Sequence, residues 1–405
     1  MSDTLNLIAK ETKGKSFKTF KYCFDGVSVP RLDYDEENYQ ITWLHYGETE
    51  YNRDGDTIDL KPLADKLLES PPLFQYFLDG SRKIYKVDDM AYRNQLYPII
   101  AGQVGVGCCT RDKGEMHPLY VKQTPFYERL FVISLPQKAK QSTWDNDELS
   151  FGYLRKAINN QPRLQSYNFE IAKIKSYSTS VEAGEKMENK GIATIQDYMI
   201  EREKNMVSRL VKSNLLNAEQ YLLKDGSLEY QIHDLSSKEA KIFCNNYRFV
   251  VGASKSFNPA NCIDKHKNNN SNLIAKLPLY HRTPVQLYQS DKIGDNMNFA
   301  IWFVRIRNQM YTNNAFDGIL KLEKILTDDE SEKGLETGEV DVITANIINE
   351  RNPVCYGVDK RWANHLYPIY VTEKFIKSMY LSENMFLVNC KLNLNNHNQE
   401  THSLA

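Results

Sequence analysis

The sequence predicts an α/β fold built as one elaborated domain, and three stretches of its 405 residues carry that expectation. The first is a set of apolar runs joined by short turns: "PLFQYFLDGSRKIYKVDD" (72–89), "QLYPIIAGQVGVGCCT" (95–110) and "FYERLFVISLP" (126–136). Short connections between strands give an antiparallel meander rather than a βαβ series. The second is "KMENKGIATIQDYMIEREKNMVSRLVKSNLL" (186–216), where Ile195, Met199, Met206 and Leu210 recur at helical spacing. The third runs from "AEQYLLKDGSLEY" (218–230), a short strand ending in a turn, through a short helix at "SSKEAKIFCNN" (236–246). It ends in "YRFVVGASKSF" (247–257), a continuous apolar strand.

The remaining elements follow from the same rules. Residues 1–70 read as a β-rich lead-in, with strand candidates at "KTFKYCF" (18–24) and "YQITWLHYG" (39–47). "PVQLYQS", "NFAIWFVRIRNQ" and "GILKLEKIL" are strand-like, and a helix is expected around "VDVITANIINE" (340–350). Two polar stretches, "DKHKNNNSN" (264–272) and "TDDESEKGLETGE" (327–339), read as solvated loops. No long Pro- or Ser-rich linker divides the chain.

Composition narrows the function classes. The chain is 41% hydrophobic and 25% charged, as globular proteins are, with a net charge of −1. No global field draws nucleic acid, so any such surface must be a local basic patch. The seven cysteines are scattered and form no CxxC pair, which argues against zinc and fits a reducing cytoplasm. An apolar leader and an 18-residue apolar run are both lacking, so neither a signal peptide nor a membrane span is expected. "GQVGVG" (102–107) has the wrong glycine spacing for a dinucleotide loop, and no Walker A motif occurs.

The chemistry-bearing residues are acids. Asp-Gly-Ser occurs twice, at 79–81 and 225–227, each time at the end of an apolar run that reads as a buried strand. An Asp there is either a turn residue or a buried acid that needs a partner or a metal. Glu203 falls on the apolar stripe of the long helix, while Glu201 points toward solvent. Its alternatives are a boundary acid paired to Arg202 or Arg209, or a ligand whose role belongs to Glu201 instead. Lys255, past the apolar strand, is either a solvent-exposed strand-end lysine or a cation beside a scissile phosphate. Asp and Glu oxygens are the hard ligands that Mg2+ or Mn2+ takes, and two such ions serve phosphodiester cleavage.

In order and spacing, "LDGS", an acid on a long helix, "LLKDGSL", "VVGASKS" and a late "HLYPIYV" resemble the NurA nucleases over roughly residues 70–385. The resemblance implies an RNase H-like core with a mixed β-sheet flanked by helices, elaborated by N-terminal and loop insertions. It divides the chain into a β-rich N-terminal extension (1–70), a nuclease domain (71–385) and a tail (386–405). It implies a cytoplasmic homodimer that cuts DNA with Mn2+ or Mg2+ and works with a HerA-type hexameric ATPase in DNA end processing or defence against foreign DNA. Asp79, Glu203 and Asp225 would be the metal ligands, with Lys255 and Tyr367 completing the catalytic set. The family's histidine about two turns beyond the Tyr-Pro pair is not matched; that region reads Glu373, Lys374, Phe375, with His365 before the pair. The competing expectation is a non-catalytic DNA-binding or assembly subunit that keeps the same fold.

Overall fold

The computed structural model describes residues 3–17, 22–23, 41–50, 57–140, 146–180, 185–230, 236–264, 266–290, 297–312, 315–351 and 362–391. It is a mixed α/β structure whose large sheet is mostly antiparallel and is flanked by helices. The expected meander is its first part: β1 (Phe74–Tyr92), β2 (Gln95–Asp112) and β3 (Tyr127–Pro136) pair antiparallel in sequence. A further strand, β4 (Ile171–Tyr177), lies parallel to β3 at the edge of this half.

The direction changes at β1. The long helix α1 (Met187–Lys212) carries the chain back across the sheet, and β5 (Tyr221–Asp225) then pairs parallel to β1. A helix α2 (Ser237–Asn246), started by a Ser236–Glu239 capping box, leads to β6 (Val250–Ser254), parallel to β5. Two antiparallel strands, β7 (Phe299–Arg305) and β8 (Ile319–Ile325), extend the sheet beyond β6. The strand order through the centre is β4-β3-β2-β1-β5-β6-β8-β7.

Successive residues of a strand face opposite sides, so the sheet has two apolar faces. Leu78, Val106 and Leu222 meet Ile195, Met206 and Leu210 of α1 on one side. Phe77, Leu223, Val251 and Trp302 meet Ile343 and Ile369 on the other. Those last two come from α3 (Thr337–Asn349) and α4 (Tyr367–Ser378). Each fully buried Leu, Ile or Phe contributes about 1.5–3 kcal/mol, so both faces hold the sheet firmly.

Several elements differ from expectation. Residues 328–333 form a short helix with a Thr327–Glu330 capping box, where the acidic stretch reads as a loop. The N-terminal segment opens with a helix, Asp3–Glu11, whose Leu5 and Ile8 are buried in a cluster with Tyr85, Phe131 and Phe386. Phe386 belongs to α5 (Glu383–Lys391), so the segment taken as a tail starts inside a packed helix. Most of "KTFKYCF" lies outside the described residues, while Ile41–Tyr46 is a strand paired with Gln286–Ser290. Arg282, fully buried, ties this region to α3 by donating to carboxylates on both sides: Glu48 at 2.7 Å and Asp341 at 2.6 Å.

Two glycines test the packing logic. A Cβ on Gly80 would lie 2.1 Å from Glu203 Oε1, whereas one on Gly152 would meet only Glu148 Oε1 at 3.7 Å. Gly80→Ala is expected to destabilise the fold by about 1–3 kcal/mol through overpacking. Gly152→Ala, inside the helix Asp147–Asn159, is expected to stabilise it by about 0.5–1 kcal/mol. Urea denaturation of the two variants checks both signs.

Candidate functional site

The parallel pairing of β1 and β5 sets the site. Leu78 is opposite Lys224, so the next residues along the two strands, Asp79 and Asp225, stand side by side. Asp225 is in turn paired with Ala253 of β6, two residues before Lys255. Both aspartates and the lysine thus gather where three parallel strands finish their shared ladder, the end at which open α/β sheets carry ligands.

The two Asp-Gly-Ser tripeptides occupy different local structures. Asp79 was expected at a strand end; it lies instead inside the 19-residue β1, whose antiparallel pairing to β2 continues past it. Only the parallel partner stops there. Asp225 does end its strand, and Gly226 turns the chain with φ +80°, a conformation suited to glycine. Ser227 Oγ and the Leu228 amide both donate to Glu323 Oε2 at 2.7 Å, which fixes the turn below Asp225.

Charges alternate across the sheet as the strand pleat dictates. On the face shared with α4, Lys255 Nζ is 2.9 Å from Asp225 Oδ2, and the lysine side chain is buried rather than solvent-exposed. Asn364 accepts the Gly318 amide and donates to the Lys255 carbonyl at 2.9 Å, holding that backbone in place. On the opposite face, Glu203 of α1 sits over Gly80 and accepts from Lys224 at 3.1 Å. Glu203 is therefore buried and paired, while Glu201 is exposed. Neither expected arginine takes it: Arg202 binds Glu128 at 2.6 Å, and Arg209 stacks on Phe126.

Asp79 is the acid left over. It is 4% exposed, and its Oδ2 has no hydrogen-bond partner. Burial, then the neighbouring Asp225, pushes its carboxyl well above the ordinary range, against the pull of Lys255. Burial also raises Glu203, opposed by Lys224. Burial alone would lower Lys255, but Asp225, Asp79 and Glu373 outweigh it and hold the ammonium raised. Glu373, from α4, would be raised by burial, yet Lys255, Lys377 and His365 keep it below the usual carboxylate range.

Three of the five residues expected from sequence thus share one face, Asp79, Asp225 and Lys255, while Glu203 meets the same strands from the other. Tyr367 does not join them; it opens α4, 47% exposed, and lines a groove that none of the acids lines. Lys224, Glu373 and Asn364 complete the cluster. A lysine between Leu223 and Asp225 in a buried strand was the signal for Lys224, because a buried ammonium demands an acid. Among the described residues, no three His, Cys, Asp or Glu side chains form a ready group for a metal ion as they stand. The geometry explains this, since Glu203 approaches from the face opposite Asp79, and two of the acids hold lysines.

No protein-family model matches the sequence, and no curated protein is similar to it.

The raised Asp79 carboxyl has a thermal consequence. Between the unfolded value, about 3.9, and the raised native value, the folded chain binds more protons than the unfolded one. Stability is therefore fully present at low pH and is lost as pH rises through that window. Asp79→Asn removes this loss, so its melting point in chelator should exceed the wild type's at pH 7 by ~2 °C or more and converge with it near pH 4. Melting curves across that range check the sign.

Proposed function

We propose that this chain is a divalent-metal-dependent DNA nuclease with an RNase H-like core. One observation carries the reading: Asp79, buried and in register with Asp225, keeps a carboxylate oxygen without a hydrogen-bond partner. Such an oxygen takes either a proton or a cation. A hard cation suits an all-oxygen donor set, so the residues fit Mg2+ or Mn2+. Asp79 and Asp225 would hold it with Glu373 of α4 beside them, and Glu203, the third proposed ligand, stands across β1 from them on α1. When bound, the metal supplies water activation and Lewis-acid stabilisation of the leaving oxygen.

The chain's own groups supply the rest. Lys255, held by Asn364 and turned toward the acids, balances the charge that grows on a phosphate as its bond breaks. Lys224 opposes the burial that raises the Glu203 carboxyl and holds it over Gly80. An antiparallel run continued by parallel β5 and β6, covered by α1 and α4, supports the RNase H-like reading.

The proposal extends to a cytoplasmic homodimer that receives DNA from a HerA-type hexameric ATPase, in end processing or defence. With no Walker A motif in the sequence, translocation has to come from another chain. The described cysteines are free thiols, in keeping with a reducing compartment. None of the described helices is long and apolar enough to cross a membrane. Docking through residues 1–70 would have to use surface other than Leu5 and Ile8, which are committed to the core.

A second reading has its own support. Lys224 and Lys255 already neutralise Glu203 and Asp225, which is how a non-catalytic DNA-binding or assembly subunit would stabilise inherited acids. Linear DNA incubated with Mn2+, with and without chelator, separates the two. The nuclease reading expects metal-dependent cleavage, with losses of about a thousandfold in Asp79→Asn, Glu203→Gln and Asp225→Asn. Lys255→Ala should slow cleavage about 10- to 1,000-fold while weakening DNA binding less. Cleavage that survives in all three acid variants would sink the metal-site reading.

A further inference from the structure

We infer that the groove beside the opening of α4 binds single-stranded nucleic acid, with phosphates on its basic side chains and a base on Tyr367. Lys61, Tyr280, Arg307, Glu350, Arg351 and Tyr367 line it. Its charge is lopsided in a useful way. Glu350 is taken by a two-pronged pair with Arg111, at 2.8 and 2.5 Å, so it does not cancel the groove's own cations. Asp65 pairs with Lys61, but both side chains are about half exposed, where such pairs contribute little.

Aromatic rings hold these cations in place. Arg351 lies 5.1 Å and Lys61 5.9 Å from the Tyr280 ring centre, and Arg307 lies 5.5 Å from that of Trp362. A ring orders a cation without cancelling its charge, so Arg351 keeps its charge for a phosphate, and Lys61 shares its own only with the half-exposed Asp65. Tyr280 is itself in a costly conformation, with φ +64°, fixed by bonds from its amide to the Arg305 carbonyl and from the Leu60 amide to its own carbonyl. Strain of that kind persists where the surroundings over-determine a position, and functional sites collect it.

Basic side chains interleaved with aromatics are the combination that tracks a single strand, the cations following the backbone and the rings stacking bases. Tyr367 is 47% exposed and offers the free ring. A duplex keeps its bases stacked inside, so only an unpaired base can use it. The net charge of −1 makes a local device of this kind necessary for any nucleic-acid partner. Tyr367 and Glu373 share α4, six residues or ~9 Å of helix apart, so one rigid element carries both the groove's ring and an acid of the proposed nuclease site. That last link rests on the nuclease reading; binding in the groove does not.

Anisotropy of a labelled oligonucleotide, measured in chelator across a salt series, tests the groove without cleavage. The wild type should prefer the single strand to the matching duplex. Lys61→Gln and Arg351→Gln should each lower the log–log salt slope by about 0.7 for the single strand. Tyr367→Ala should weaken single-strand binding on the order of tenfold and duplex binding much less. Lys61 is half exposed, so its variant reads binding rather than folding. Duplex preference, or wild-type affinity and slope in Lys61→Gln and Arg351→Gln, would overturn the groove and leave the nuclease reading standing. A wild type that binds as expected but never cuts DNA would support the groove and sink the nuclease.

Discussion

The parallel pairing of Leu78 with Lys224 is the constraint from which the rest of the site follows. It sets the buried Asp79 beside the half-buried Asp225. Two carboxylates so placed cannot both be charged at low cost, and each surrounding feature answers that problem. Lys255 neutralises Asp225 from the next strand, and Lys224 answers Glu203 from the other face. Gly80 lacks a side chain because the Glu203 carboxylate occupies the space where one would stand. Asp79 feels Lys255 but keeps an oxygen that no hydrogen bond answers, which makes it a point at which a cation or a proton changes the energetics.

The scaffold around this pair is redundant in the physical sense. Two apolar layers clamp the sheet from opposite sides, and α1 and α4 each bring one acid to the strand ends. The N-terminal segment is woven into the sheet at two places, through Lys15–Phe17 on β1 and Ile41–Tyr46 on Gln286–Ser290. Buried Arg282 locks the second of these to α3 with two carboxylates. A buried ion triad of that kind specifies a fixed arrangement more than it adds stability. The acids are thus presented by rigid elements, with loops left to the periphery.

Strong periodicity made most of this legible. The stripe Ile195, Met199, Met206, Leu210 gave away α1, and Glu203 stood out because it broke the stripe's chemistry. Apolar runs gave β1, β2, β3, β5 and β6 in the right places. Asp79 was misjudged as a strand terminus because Asp-Gly-Ser is ordinary turn chemistry, and only tertiary pairing keeps that tripeptide extended in β1. The helix at 328–333 was hidden by its acidity, although its capping box, Thr327 with Glu330, was readable. Glu373 stood where the family's histidine is not matched, whereas Lys224 was passed over although its place in a buried strand called for an acid. Tyr367 shares a helix with Glu373, yet the groove it lines belongs to residues far away in sequence, such as Lys61 and Tyr280.

Manganese binding, followed by electron paramagnetic resonance as the ion is titrated into the full chain, addresses the unanswered Asp79 carboxylate most directly. Free Mn2+ gives a strong signal that falls when carboxylates capture the ion. If Asp79 and Asp225 form a cation site, the wild type captures Mn2+, Mg2+ competes for it, and Asp79→Asn leaves the signal free. Equal capture by wild type and Asp79→Asn, or none by either, would contradict it.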